Sequence, residues 1–358
     1  MLGPHMLTLS TARACHPANS ARRRAAGADA RYDLRVITGW TFSADQSARP
    51  LESIDALGEA LARADGVTWV DLEAPDDEEL HALGAVLNLS PEALEDCRVG
   101  EQRPRIDEFD DYLFLVLYGM LGLESEEYAP RKLAAFVGER FLATIHREPL
   151  VTIKTVNERC GRHPSKTLAN GVDVVLYHII DGMIDKYLLV SERHEERLED
   201  LEERSLASEF DADILADAGE LRRTLIELRR LAVAQRELIT PLARGQFGHV
   251  SDTLEQRFQH VVDHLSQVID VTDGVRERLN AVRDNYHASL ASRTNEAMQR
   301  LTIVATVMLP MSVIAGVYGM NVPLWPVGDS PSGFWVVIGL MVLVSGGLMA
   351  YFRRKRWV

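Results

Sequence analysis

The stretch TNEAMQRLTIVATVMLPMSVIAGVYGMN, Thr294 to Asn321, decides how this chain is read. From Leu301 to Met320 it carries no charged residue, and a second uncharged run extends from Phe334 to Phe352. Each run is about 20 residues long, enough for a helix to cross a hydrocarbon core of about 30 Å. The short link between them makes a helical hairpin whose two ends lie on one side. Arg300 precedes the first run, Arg353-Arg354-Lys355-Arg356 follows the second, and the link holds no Lys or Arg. The cytoplasmic bias of cationic residues then predicts a multi-pass protein of the inner cell membrane with both termini in the cytoplasm.

Outward from this hairpin, the chain has 358 residues and a formal net charge of -14. Such an acidic balance argues against nucleic-acid partners and suits cations. Cys15, Cys97 and Cys160 show no CxxC spacing, so neither a disulfide framework nor a thiolate zinc site is signalled. Residues 1–31 begin with a stretch free of Asp and Glu and read as a disordered N-terminal extension or a cloning remnant. Residues 32–164 read as a cytoplasmic α/β domain. Strands are expected at Val67–Leu72, at Tyr112–Gly119 and in a hairpin over Lys132–His146 turning at Gly138-Glu139-Arg140. Helices are expected over 76–89 and 90–99, the second capped by Ser90 with Pro91 at its first position.

After Pro164 the apolar spacing becomes helical. Residues 165–250 read as a helical hairpin, 251–300 as a stalk helix, 301–320 as the first crossing and 321–333 as an extracytoplasmic loop. The second crossing spans 334–352, and 353–358 form a basic cytoplasmic tail. The acidic stretch Ser191–Glu203 reads either as a solvated, ion-paired helix face or as a charge cloud that gathers cations. No proline interrupts the chain between Pro241 and Pro310, so one helix can run from Asp252 into the membrane, about 65 residues and about 100 Å. One narrow stripe of it contains Asp284, Asn295, Met298, Leu301, Ala305, Leu309, Ser312 and Gly316. Asn295 and Asp284 are costly in a dry seam, but around a wet axis they form rings that hold a hydrated cation. The alternative is a dimeric coiled coil with a poor seam. At the end of the stripe, the Asn321 carboxamide offers neutral acceptor lone pairs that suit a hydrated divalent ion. Gly316 and Gly319 let backbones approach. The same letters also fit a simple C-cap turn.

Thr294–Asn321 resembles the pore segment of the CorA family of magnesium and cobalt channels, and RPRIDEFDDYLFLVLYG, Arg103 to Gly119, resembles that family's N-terminal domain. The resemblance runs from about Tyr32 to the basic tail. It implies a funnel-shaped homopentamer: α+β cytoplasmic domains, α/β/α sandwich-like, each followed by a long stalk helix and two C-terminal transmembrane helices. Tyr318, Gly319, Met320 and Asn321 then match the selectivity mouth. The stripe from Asn295 to Gly316 matches the pore lining, with Met298 and Leu301 at its apolar constriction. Arg353, Arg354, Lys355 and Arg356 match a basic collar. Family members close when magnesium bridges acidic groups of neighbouring subunits. One such position maps onto Asp96, and the other onto His260, with Asp263 one turn later.

Two departures from the family pattern stand out. His260 stands where the family has a hard carboxylate ligand, and with His264 at i,i+4 it reads either as an imidazole pair that favours zinc or cobalt or as two stalk histidines in solvent. After the YGMN signature, Val327 stands where an acidic residue is usual, leaving Asp329 the only carboxylate in the loop. The latter is similar to the ZntB branch of zinc transporters. The expected partners are therefore divalent ions (Mg2+ or Zn2+), the bilayer and other copies of the chain, with no resident cofactor and no nucleotide. No GxxxxGK[ST], HExxH or GxSxG is present, so no enzyme activity is expected.

Overall fold

The computed structural model describes residues 36–43, 45, 47–63, 66–98, 103–120, 129–206, 211, 213–320, 332–355 and 357. The chain falls into two compact units, one of residues up to 197 with 220–276, the other of 198–219 with 277–358.

The first unit is organised by a seven-stranded sheet of order β2-β1-β3-β7-β6-β5-β4. Its strands are β1 (Val36–Ser43), β2 (Ala48–Pro50), β3 (Gly66–Glu73), β4 (Arg105–Glu108), β5 (Tyr112–Met120), β6 (Pro130–Gly138) and β7 (Phe141–His146). Only β3 and β7 pair in parallel; the other neighbours are antiparallel. All nine residues of β5 are buried, so both faces of the sheet are covered there. That is why the strand reads as a continuous apolar run rather than an alternating one. The helices α1 (Ile54–Ala62), α2 (Asp77–Leu87), α3 (Pro91–Arg98) and α4 (Val151–Arg162) accompany the sheet.

Local chemistry fixes the helix ends. Ser53 Oγ accepts from the Ala56 amide at 3.2 Å and starts α1. Asp76 and Glu79 form a reciprocal capping box at the start of α2, with bonds of 2.8 and 2.9 Å. Asn88, left-handed at φ 53°, ends that helix. Helix α3 begins at Pro91 as expected, while the Ser90 amide donates to the Tyr112 hydroxyl at 2.8 Å.

Beyond the sheet lie α5 (Val172–Leu206), α6 (Ile214–Ala243), α7 (Glu255–Tyr318) and α8 (Gly333–Arg354). A buried polar link joins α5 and α6 to the sheet. The Tyr118 amide donates to Gln235 Oε1 at 3.1 Å, Gln235 Nε2 donates to the Tyr187 hydroxyl at 2.7 Å, and that hydroxyl donates to the Tyr118 carbonyl at 3.0 Å. β4 pairs with β5 only as far as Val116, so these side chains satisfy backbone groups that have no strand partner there.

Strands β1, β2 and β4 and helices α1 and α4 are additions to the expected set. β1 passes so close to β3 that a Cβ on Gly39 would lie 2.2 Å from the Trp69 carbonyl oxygen. Beneath this contact is a buried polar chain. Trp69 Nε1 donates to Thr144 Oγ1 at 3.1 Å, Thr144 Oγ1 donates to Asp71 Oδ1 at 2.5 Å, and Asp71 Oδ2 meets His146 Nε2 at 3.2 Å.

Two predictions follow from this packing. Gly39→Ala places a methyl group against fixed backbone and is expected to cost about 1–3 kcal/mol. Thermal unfolding of the full chain reads this, and an unchanged midpoint would contradict the close approach. The second concerns His146. Burial pushes its pKa down, but the hydrogen bond and charge of Asp71, the Glu148 carbonyl and Glu73 together raise it above the ordinary 6.5. A raised histidine pKa stabilises the fold fully below 6.5 and loses that contribution as pH climbs through the higher folded value. The unfolding midpoint is expected to fall over that interval, and His146→Gln to flatten the fall; equal slopes in both proteins would refute the pairing.

Candidate metal-ion pathway

The end of α7 and the whole of α8 are long and apolar enough to cross a membrane. Their most apolar 18-residue windows have mean hydropathies of 2.0 and 2.1, and each window is only 6% buried. A core helix of a soluble protein would hide most of such a window.

The small buried share is not scattered. Between Gln299 and Tyr318 the buried or half-buried residues of α7 are Gln299, Ile303, Val307, Pro310, Met311, Ile314 and Tyr318. At about 100° per residue they fall within an arc of about 120°. Helix α8 likewise hides one face, through Gly333, Val337, Met341, Val344, Ser345, Leu348 and Phe352. Gln299 Nε2 donates to the Trp357 carbonyl at 3.3 Å and ties α7 to the segment just past α8, where Trp357 stacks on Phe352. The stripe Asn295, Met298, Leu301, Ala305, Leu309, Ser312 and Gly316 occupies the nearly opposite arc of α7, about 160° away. Every one of these residues is exposed, Met298 by 62%, Leu301 by 70% and Leu309 by 69%. Ser312 Oγ donates to the Met308 carbonyl at 3.0 Å, which leaves its lone pairs outward. Asp284, higher up α7, is also exposed and lies 3.5 Å from the Arg283 guanidinium.

Tyr318 is the last residue of α7. The Gly319 amide donates to the Ala315 carbonyl at 2.9 Å, and a Cβ on Gly319 would sit 2.9 Å from the same oxygen. Gly319 is not among the residues with a left-handed backbone. Its requirement is therefore room for a carbonyl, not an unusual φ. Met320 is 59% exposed beside it. Asn321, Val327 and Asp329 lie outside the described residues. Arg353 and Arg354 close α8 and, with Lys355, are exposed; Arg356 lies outside the described residues.

The residues expected to form a regulatory metal site are separately engaged. Asp96, on α3, accepts from Arg105 through its carboxylate and from Lys132 through its main-chain oxygen. Asp263 accepts from Gln259 Nε2 at 3.0 Å. His260 packs against His264 with ring centroids 4.1 Å apart and planes tilted by 57°, and His264 Nδ1 lies 3.6 Å from Asp185 Oδ1, too long for a hydrogen bond. Among the described residues no three His, Cys, Asp or Glu side chains converge to hold a metal, so Asp96, His260 and Asp263 do not form a chelate within one chain.

The structure adds Asp181 and Asp185 of α5, which the sequence reading did not single out. Burial and the Asp185 charge raise the Asp181 carboxyl pKa, against the Tyr177 hydrogen bond and the charges of His264 and His260, which lower it. Nearby, burial, with Arg159 and Arg257, holds His178 down at about 4, leaving a neutral imidazole at physiological pH. The i,i+4 spacing of Asp181 and Asp185 was visible in the sequence, but only the packing of α5 against α7 reveals what faces them. The acidic stretch of α5 is ion-paired in part: Arg204 binds Asp200 at 3.3 Å, and Glu202 takes a bidentate pair from Arg278 at 2.9 and 2.6 Å.

Comparison with known proteins agrees with this architecture. A family model described as CorA-like Mg2+ transporter protein matches residues 64–354. The putative metal ion transporter YfjQ of Bacillus subtilis is 32% identical over 291 residues, covering 81% of this chain and 89% of that protein. The zinc transport protein ZntB of Cronobacter sakazakii is 23% identical over 330 residues, covering 90% of this chain and 96% of that protein. The complete structure of the CorA magnesium transporter from Methanocaldococcus jannaschii superposes with a TM-score of 0.78 at 25% identity, covering 90% of this chain and 99% of that one. An α/β unit, one long helix and two C-terminal apolar helices are thus a shared fold, and the chain belongs to the CorA-like Mg2+ transporter family.

Proposed function

We propose that the chain is a channel-type transporter of divalent cations, carrying hydrated Mg2+, and also Co2+ and Ni2+, through an axial pore built from five copies. The observation that carries this reading is the uncovered stripe of α7. It lies opposite the face that α7 hides between Gln299 and Tyr318, and it mixes Asn295 and Ser312 with small and apolar residues. Asn295 lies just ahead of the uncharged run, and Ser312, whose hydroxyl donates to the Met308 carbonyl, keeps lone pairs that hydrocarbon leaves unused. Facing a shared axis, they line a wet tunnel in which Met298 and Leu301 form an apolar constriction able to gate by dewetting. Tyr318, Gly319, Met320 and Asn321 form the outer mouth, where the carboxamide ring holds the hydrated ion without stripping its shell. Arg353 to Arg356 form a basic collar around the inner mouth. With both termini in the cytoplasm, entry is passive, and a divalent ion gains about 4.6 kcal/mol per 100 mV of membrane potential.

The regulatory cation bridges Asp96 of one copy to His260 and Asp263 of its neighbour, which accounts for their separation within a single chain. No resident cofactor is needed and no catalytic step is assigned.

A second reading, a ZntB-like and proton-coupled Zn2+ transporter, is favoured by one feature: the adjacent His260–His264 pair offers imidazole rather than carboxylate ligands.

Flux into liposomes of Mg2+, Co2+, Ni2+ and Zn2+, measured at two pH values, separates the two. Magnesium uptake that follows voltage and ignores a pH gradient is expected; zinc uptake that follows the proton gradient would select the second reading. Native mass spectrometry should give pentamers, and a monomer or dimer in lipid would end the axial account. Asn321→Ala is expected to abolish discrimination among the ions, whereas retained selectivity would remove the mouth assignment. Asp96→Ala is expected to leave flux less sensitive to internal Mg2+; unchanged inhibition would remove the regulatory bridge.

A further inference from the structure

A cavity of about 250 Å3 opens at the ends of β6 and β7 beside α3. Its charged lining is Arg131, Lys132, Arg147 and Glu148, with His146, Cys97 and Tyr118 completing the polar wall. Three basic side chains against one carboxylate in the lining is an unusual balance in a chain of net charge -14. The carboxylate is already committed, since Glu148 pairs with an Arg131 Nη1. Arg131 Nε remains buried with no hydrogen-bond partner among the described residues. Lys132 is drawn into the wall, where it donates to the Asp96 carbonyl and has further N–H donors, and burial, the largest influence on it, lowers its pKa. Arg147 is exposed and makes no ion pair among the described residues. Burial pushes the Cys97 thiol up to about 12, so this side chain adds no negative charge.

We infer that this cavity binds a small soluble anion carrying a phosphoryl group, held by Arg131, Lys132 and Arg147. Planar guanidinium forks and a compact ammonium together are the donor set that phosphoryl oxygens require. The cavity has the volume of about eight waters, room for a phosphoryl group and a second one. Arg131 Nε, a buried donor left without an acceptor among the described residues, is the feature such a ligand repairs. The assignment stands on the α/β unit alone and does not depend on the proposed transport. It gives that unit a ligand of the opposite sign to the transported ion.

The test uses the full chain in phosphatidylcholine nanodiscs, in metal-free buffer at constant ionic strength, titrated calorimetrically with pyrophosphate and then with inorganic phosphate. Saturable binding at one site per chain is expected, with pyrophosphate the tighter ligand. Lys132→Met and Arg147→Ala should each weaken binding by about tenfold. Arg147 is exposed, so its replacement keeps the test valid should the Lys132 variant fold poorly. Arg162→Ala, at an exposed cation paired with Glu158 outside the cavity, should change nothing. Absence of saturable heat, an equal loss in the Arg162 variant, or wild-type binding in Arg147→Ala would each overturn the site. Nanodiscs containing phosphatidic acid should leave pyrophosphate binding unaltered; displacement there would identify a lipid headgroup as the occupant and overturn the claim of a soluble ligand.

Discussion

The constraint on which this structure depends is the division of one helix into two faces. Between Gln299 and Tyr318 a single arc of α7 is hidden, and the arc opposite is bare. Bare apolar surface of this extent does not persist in water. Lipid can cover Val304, Met308 and Val313, which are apolar and exposed. Lipid is a poorer cover for Ser312, whose lone pairs hydrocarbon leaves without a donor, and Asn295 extends the same polar line just ahead of the uncharged run. One chain therefore has a surface that neither water nor bilayer satisfies alone. An assembly that encloses that surface around water satisfies it, and for this reason the proposed oligomer follows from the stripe more directly than from the hydropathy of the helices.

The parts of the fold that were legible in the sequence are those with a single strong physical signal. Two uncharged runs gave the apolar helices, and continuous apolar runs gave β3, β5 and the β6–β7 hairpin. The elements that escaped lack such a signal. β2 is three residues long, β4 is the charged edge segment Arg-Ile-Asp-Glu, and β1 carries a glycine whose purpose is visible only against the Trp69 carbonyl. The candidate pathway divides in the same way. The α7 stripe could be read from helical spacing, because its partners lie at fixed angles on one element. The neighbours of His260 could not be read, because Asp181 and Asp185 are about 80 positions away and meet it only through the packing of α5 on α7. Gly319 was partly legible: its small size was evident, but the reason for it, the Ala315 carbonyl, is geometric.

The sheet and the helices behind it are not independent layers. Tyr187 and Gln235, both fully buried, close hydrogen bonds on the two backbone groups of Tyr118 where β4 has ended. Buried polar groups joined in this way fix a register, since any slip would leave several donors and acceptors dry and unpaired. The position of α5 relative to β5 is thereby set, and with it the position of Asp181 and Asp185. The carboxylates that face His260 and His264 accordingly rest on a rigid base rather than on a loop.

The net charge of -14 invites the idea of a diffuse acidic cloud, but the packing argues for something more local. Arg204 gathers Asp200, Asp211 and Asp217, Arg278 holds Glu202, and Arg229 holds Asp273 at 2.7 Å. Paired carboxylates do not recruit ions freely; an arriving cation must displace an arginine or accept a shared ligand. The same holds at Asp96, where Arg105 is already in place. A divalent ion bridging Asp96 to a neighbouring chain would compete with that guanidinium, so its apparent affinity is set by the difference between two electrostatic interactions rather than by either alone. Competition of this kind weakens binding without removing charge from the site.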